Sequence, residues 1–247
     1  MARAAISAHR GGSDHDAADG SAKPYESYRA AAASGADYVE IDIRQTRDGV
    51  LVDYHDELCG AGGRAVADLG YGQMCELLGY AVPLAAEAMG VLAGKAAGHL
   101  DLKGAGYEAP AVRLALDAFG PDGFVVTTLE DASIARIRRE FPDVRTALAL
   151  GGDLQGLRPD RRVAARLGDV FPIRRLRACG AHWAALNYRL VPAGVLRRCA
   201  ANGIGTMLWT VDRDELIAKF LSHPDVDVVI TNRPARARAL RDRLGEA

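Results

Sequence analysis

Residues 38–56 read YVEIDIRQTRDGVLVDYHD. In an extended strand alternate side chains share a face, so Val39, Ile41 and Ile43 take one side and Glu40 and Asp42 the other. Two like charges that close repel one another unless a cation sits between them or water surrounds them. A strand apolar enough to be buried therefore needs that cation from elsewhere in the chain.

Working outward, short β-like runs alternate with helical stretches from end to end. Strands are expected over 4–9, 38–43, 98–103, 124–129, 145–150, 182–187, 205–211 and 226–231. Helical stretches fall between them: YESYRAAAAS, PLAAEAMGVL, APAVRLALDAF, DASIARIRREF, a vaguer one around 160–178, PAGVLRRCAAN, RDELIAKFLS and PARARALRDRL. Asp131, Pro192 and Pro234 stand where helices start. A β-then-α unit repeated eight times in a chain of 247 residues predicts a TIM (β/α)8 barrel, here one domain over 1–247. GVLVDYHD after the second strand reads as a short excursion. Gly151, Gly152, Gly156 and two prolines leave 151–180 without a clear period.

Composition narrows the function. Lys and Arg total 31 against 32 Asp and Glu, a net charge of −1 with the signs interspersed, so no nucleic-acid grip is expected. The arginine-rich RPDRRVAARLGDVFPIRRLR reads as solvated helix faces and loop ends. Cys59, Cys75, Cys179 and Cys199 are scattered and form no CxxC pair, which suits reduced thiols in a cytoplasmic protein. The opening MARAAISAHRGG turns polar too early for a signal sequence, and no run is long enough for a membrane anchor.

In a TIM barrel the chemistry gathers at the carboxyl ends of the strands. There the first strand gives His9-Arg10-Gly11-Gly12, the second Glu40 and Asp42, the excursion His55-Asp56, and the third Asp101 and Lys103, again two apart on one face. Glu40, Asp42 and Asp101 make an oxygen cage for Mg²⁺ or Ca²⁺, the cation that the opening pair needs. The alternative is a set of ion pairs with Arg10, Arg44 or Lys103. His9 and His55 titrate near neutrality and suit acid and base duties. Arg10 offers a planar fork for phosphate and Lys103 a point charge, a set that describes phosphoryl transfer. His15, His99, His182 and His223 have no such setting and read as structural or surface residues. HRGGSDHDAADG and GAGG (60–63) lack nucleotide-loop spacing and read as loops.

AHRGG, SGADYVEIDIRQTRDGVLVDYHD, VPLAAEAM, HLDLK and VVITNRP resemble, in this order, the glycerophosphodiester phosphodiesterases. The resemblance implies a metal-dependent barrel enzyme that hydrolyses a glycerophosphodiester, a small-molecule substrate, to sn-glycerol 3-phosphate and an alcohol. It implies His9 and His55 as catalytic, Arg10 on phosphate, and Glu40, Asp42 and Asp101 as metal ligands. The family places Glu where this chain has Asp101, so the arm is about one methylene shorter. KPYESY replaces the family's PENT, with Ser27 in the Asn position, and the segment 55–83 is short. Trp209 resembles the aromatic wall that some members place beside the substrate, with a core Trp as the alternative. Two rivals stand beside hydrolysis: a phospholipase D-like lyase that releases a cyclic phosphate, and a barrel that binds a phosphorylated ligand without turnover.

Overall fold

Eight runs of β-branched and small apolar residues close on one another as parallel strands. The computed structural model describes residues 4–12, 25–60, 63–152 and 158–246. His15, most of the HRGGSDHDAADG loop, the centre of GAGG and Gly156 lie outside the described residues. The chain runs β1 (Ala5–Ala8), α1 (Glu26–Ala33), β2 (Tyr38–Gln45), β3 (Leu51–Asp53), β4 (Leu58–Cys59), β5 (Arg64–Ala65), α2 (Tyr71–Leu78) and α3 (Ala85–Leu92). It continues through β6 (Ala97–Leu102), α4 (Glu108–Phe119), β7 (Phe124–Thr128), α5 (Asp131–Glu140), β8 (Arg145–Leu150), α6 (Pro159–Val170) and α7 (Ile173–Cys179). The last turns are β9 (Trp183–Asn187), α8 (Val195–Ala200), β10 (Gly205–Trp209), α9 (Asp214–Leu221), β11 (Val228–Thr231) and α10 (Pro234–Glu246).

The barrel order is β1, β2, β6, β7, β8, β9, β10, β11, and β11 pairs back with β1. This is the expected (β/α)8 barrel, with each strand within two residues of its expected bounds. Val39, Ile41 and Ile43 are fully buried on the outward face of β2, under the helices. Burial of that size stabilises by roughly 1.5–3 kcal/mol per side chain, which lets the inward face of the same strand carry Glu40 and Asp42. Register then places these groups: Glu40 pairs with His99, and Asp42 pairs with Asp101, which pairs with Thr127.

Inside the barrel the two halves differ. Ser7, Glu40, Asp42, His99, Asp101 and Thr127 come from β1, β2, β6 and β7. Ala147, Ala149, Ala185, Met207 and Ile230, with Trp209 against them, come from β8 to β11.

Two features exceed the sequence reading. The excursion is larger than expected: β3 lies antiparallel on β2, and β4, β5 and α2 follow around a small core of Val52, Cys59, Val66, Leu69, Met74 and Val82. The vague helix around 160–178 is two helices, α6 and α7, divided at Phe171-Pro172, because Pro172 supplies no backbone N–H.

Candidate active site

The turn after β1 aims the first two groups. Arg10 sits at φ 52° and is followed by Gly11 at 76° and Gly12 at 84°, a left-handed run that only glycine follows without strain. A Cβ on Gly11 would also come within 3.0–3.2 Å of Ser27. So placed, Arg10 Nε reaches Asp42 Oδ2 at 3.1 Å. His9 Nδ1 lies 2.7 Å from Asn232 Oδ1. The Asn232 amide Nδ2 donates to Asp212 Oδ2 at 2.8 Å, so its oxygen faces His9 and must accept from Nδ1–H. Nε2 is then left for the cavity. Burial lowers the His9 pKa despite that hydrogen bond, which favours the neutral ring.

His55 arrives from the excursion. Tyr54 N–H donates to the Asp42 carbonyl at 2.8 Å, and Arg44 Nε donates to the His55 carbonyl at 3.0 Å, which ties the loop to β2. The His55 side chain is exposed, with Nδ1 2.7 Å from Asp56 Oδ1.

The carboxylates meet as expected from strand spacing: Glu40, Asp42 and Asp101 each bring a ligand oxygen within 4.8 Å of the others. Glu40 is 4% exposed and Asp42 2%. Lys103 Nζ stands 3.1 Å from Asp42 Oδ1 and forms a shorter ion pair with Asp101. Burial alone would lower Lys103 and raise Asp101, but Asp101, Asp42 and Glu40 together raise Lys103, and Lys103, His99 and Thr127 together lower Asp101. Three acids against Arg10 and Lys103 leave one negative charge over. It falls on Glu40, whose pKa is pushed well above the usual range by burial, then by Asp42 and Asp101. Among the described residues Glu40 Oε2 and Asp42 Oδ1 have no hydrogen-bond partner; the Lys103 contact to Asp42 is an ion pair without hydrogen-bond angles. Orphaned buried carboxylate oxygens beside a third acid are the donor set that a hard divalent cation takes, so the residues fit such an ion.

His99 was expected to be structural or on the surface, and it is instead buried at the cavity floor. Its Nδ1 lies 2.9 Å from Ser7 Oγ and its Nε2 3.0 Å from Thr127 Oγ1, and Thr127 donates to Asp101 Oδ1 at 2.7 Å. Because Thr127 spends its proton on Asp101, it accepts from His99 Nε2–H, and Ser7 donates to Nδ1. All three donors point toward Asp101. Burial lowers His99 to about 4, in keeping with that neutral ring. Ser7, Thr127 and Asn232 carried no role in the sequence reading. His182 accepts from Thr146 N–H at 3.2 Å, away from the cavity, and His223 accepts from Asp225 N–H at 3.1 Å.

The cavity over these groups measures about 310 Å³ and is lined by His9, Arg10, Glu40, His55, Asp101 and Lys103 on one side. Trp209, Ala149, Ala185 and Ile230 line the other. Trp209 donates Nε1–H to the Ala185 carbonyl at 2.9 Å, which holds the ring as a wall. All eight residues expected at the site reach this mouth, Asp42 through its contacts with Arg10 and Lys103.

The fold and its mouth define a TIM barrel whose first strands carry a polyacidic, cation-ringed site. Residues 9–89 match the sequence model described as the glycerophosphoryl diester phosphodiesterase family, which the chain resembles over that stretch. The match takes in His9, Arg10, Glu40, Asp42 and His55 and ends before Asp101. No curated protein sequence matches the chain. Among solved structures, a glycerophosphodiester phosphodiesterase from Parabacteroides distasonis is similar with a TM-score of 0.75 at 20% identity, covering 98% of each chain. One from Thermotoga maritima gives 0.68 at 18%, covering 98% of this chain and 100% of that one. A phosphodiesterase from Oleispira antarctica, solved with the product sn-glycerol-3-phosphate, gives 0.70 at 16%, covering 97% of each. These likenesses concern the fold.

Proposed function

We propose that the protein is a divalent-metal-dependent phosphodiesterase, acting as one barrel domain over 1–247, that hydrolyses glycerophosphodiesters to sn-glycerol 3-phosphate and an alcohol. The observation that carries this reading is the buried Glu40 oxygen beside that of Asp42, neither with a hydrogen-bond partner among the described residues, ringed by two cations and two histidines whose Nε2 atoms have no partner among those residues. The Oleispira antarctica phosphodiesterase, with the same fold and sn-glycerol-3-phosphate bound, supports the choice of product.

Mg²⁺ or Ca²⁺ held by Glu40, Asp42 and Asp101 would supply Lewis-acid polarisation of a phosphate oxygen. The Arg10 fork and the Lys103 ammonium offset charge on the phosphoryl oxygens. His9, kept neutral with Nε2 bare, takes the proton from the attacking oxygen as the new P–O bond forms. His55, with the Asp56 carboxylate as counter-ion, gives a proton to the alcohol oxygen as the old P–O bond breaks. The Trp209 ring covers the carbon skeleton of the substrate. Four unpaired cysteines support a reducing, cytoplasmic setting, and lipid-derived diesters are the substrates that such a setting offers this chemistry.

The test is an assay of the purified protein against several glycerophosphodiesters, with and without EDTA and added Mg²⁺ or Ca²⁺, with products read by phosphorus NMR. Turnover to sn-glycerol 3-phosphate that EDTA abolishes is expected. A cyclic phosphate product would replace hydrolysis with the lyase reaction, and no turnover of any diester would refute the reading.

A further inference from the structure

Two loops meet behind His9. The first leaves β10 and carries Asp212 ahead of α9; the second leaves β11 after Thr231 and carries Asn232 ahead of α10. β10 and β11 are parallel neighbours, and Val211 N–H donates to the Ile230 carbonyl at 2.9 Å, so the ladder runs on past the end of β10 and holds the loops in register. Arg233 adds a second tie: its Nη1 donates to the Asp212 carbonyl at 3.0 Å and pairs with Asp214 Oδ1 at 2.8 Å. Asp212 is thereby held directly behind the amide that touches His9.

The donors around the Asp212 carboxylate leave the neighbouring amide one arrangement. Oδ1 accepts from Asn232 N–H at 2.8 Å and from the Thr231 hydroxyl at 3.1 Å, and Oδ2 accepts from Asn232 Nδ2 at 2.8 Å. The Thr231 hydroxyl in turn accepts from Arg233 N–H at 3.1 Å, so its own proton goes to Asp212. An ionised carboxylate only accepts, so it draws the NH2 of Asn232 toward itself and turns the amide oxygen toward His9 Nδ1, 2.7 Å away. His9 makes no such choice by itself, since a neutral imidazole nitrogen either donates or accepts. The choice matters because the bare nitrogen faces the cavity only when Nδ1 carries the proton.

We propose that Asp212 is a positioning residue for His9: acting through the Asn232 amide, it fixes the imidazole as the Nδ1–H tautomer and keeps Nε2 bare to take the proton of the attacking oxygen. The inference rests on the reading of His9 as the base. It carries a reversal that chemistry alone dictates. In Asp212→Asn the backbone N–H of Asn232 still needs an oxygen at the Oδ1 place, so the new amide puts its NH2 at the Oδ2 place, against the NH2 of Asn232. Two donors cannot share that contact, so the Asn232 amide turns over, offers its NH2 to His9 and drives the ring proton from Nδ1 to Nε2. Exchanging the pair, Asp212→Asn together with Asn232→Asp, satisfies every donor again. The amide at position 212 then donates to the carboxylate at position 232, which accepts from Nδ1–H.

The experiment reads the His9 ring by long-range proton–nitrogen NMR of the isotope-labelled protein in EDTA at neutral pH, with His9→Ala to assign its signals, and measures kcat and KM in added metal. A protonated Nδ1 with a bare Nε2 is expected in the wild type and in the exchanged pair, and the opposite pattern in Asp212→Asn. Asp212→Asn should lower kcat by ~10²–10⁴-fold, the range for a lost general base, with KM little changed, and the exchanged pair should recover at least ~10-fold of that loss. A carboxylate that only braced the loops would not be replaced by one moved to position 232. If Asp212→Asn melts early, the wild-type spectrum and the exchanged pair decide the matter. The ring signals do not depend on turnover, so a protein that hydrolyses no diester would refute the proposed function and still leave the tautomer to be read. A wild-type ring bare at Nδ1, a tautomer that Asp212→Asn leaves unchanged, or an exchanged pair no more active than Asp212→Asn overturns the proposal.

Discussion

Replacing Glu40 by Gln separates the energetics of the acidic cluster from its chemistry. In the folded protein, burial and the fields of Asp42 and Asp101 raise the Glu40 carboxyl above its ordinary 4.5. The folded state then holds a proton that the unfolded chain releases above that value, so stability falls as pH rises from 4.5 toward the folded pKa. At ~1.36 kcal/mol per pH unit, the loss by pH 7 is bounded at about 3 kcal/mol. Gln keeps the shape and carries no proton to lose. In EDTA at pH 7, Glu40→Gln should therefore be the more stable protein by up to ~3 kcal/mol, roughly 6–12 °C in melting temperature for a chain of this size, and the gap should close near pH 4.5. Metal narrows or closes the gap. A ligand at a hundred times its Kd stabilises by ~2.7 kcal/mol, a gain the wild type should show with Mg²⁺ or Ca²⁺ and the variant should largely lack. Thermal melts of both proteins, in EDTA and in each metal, at two pH values, give all the required numbers. If Glu40→Gln melts below the wild type in EDTA at pH 7, or gains as much from metal, the charge accounting is wrong.

Three further outcomes follow from the site. His9→Ala and His55→Ala should each lower kcat by ~10²–10⁴-fold with melting unchanged, whereas His182→Ala should not; an equal loss at His182 would show that the wrong histidines were chosen. Thr127→Val strands the His99 Nε2–H and one Asp101 oxygen, which should lower stability by ~1–3 kcal/mol in urea unfolding and weaken metal binding measured by calorimetry, with Thr127→Ser restoring both. Asp53, hydrogen-bonded by Tyr28 and raised to about 7 chiefly by burial, should make the wild type lose stability between pH 4 and 7, and a shallower profile in Asp53→Asn, with the Glu40 contribution left, checks it against an unchanged slope.

The strands were legible because each is a short run bounded by turn residues, and the barrel followed from their number. Helix α2 was not, since YGQMCELLGY is one short amphipathic stretch between glycines, in a segment whose partners are the equally short β4 and β5. The alternation that put Asp101 and Lys103 on one face also puts His99 there, so one more step of the same rule would have placed it at the cavity floor. Thr127, Ser7 and Asn232 carried no such signal. Their roles come from the pairing of β6 with β7, of β1 with β2, and from the close approach of β11 to His9, all of which are long-range.

The split lining of the barrel bears on how such a protein can change. Proton-carrying and charged groups come from β1, β2, β6 and β7, and the alanine-rich wall with Trp209 comes from β8 to β11. A mutation in the second half, such as Ala149→Val or Ala185→Ser, alters the space offered to a substrate without touching any ionisable group in the cavity. Changes in the space of the cavity and changes in its charge therefore fall on different stretches of the gene. The match to the family model, over residues 9–89, lies wholly within the first of these stretches.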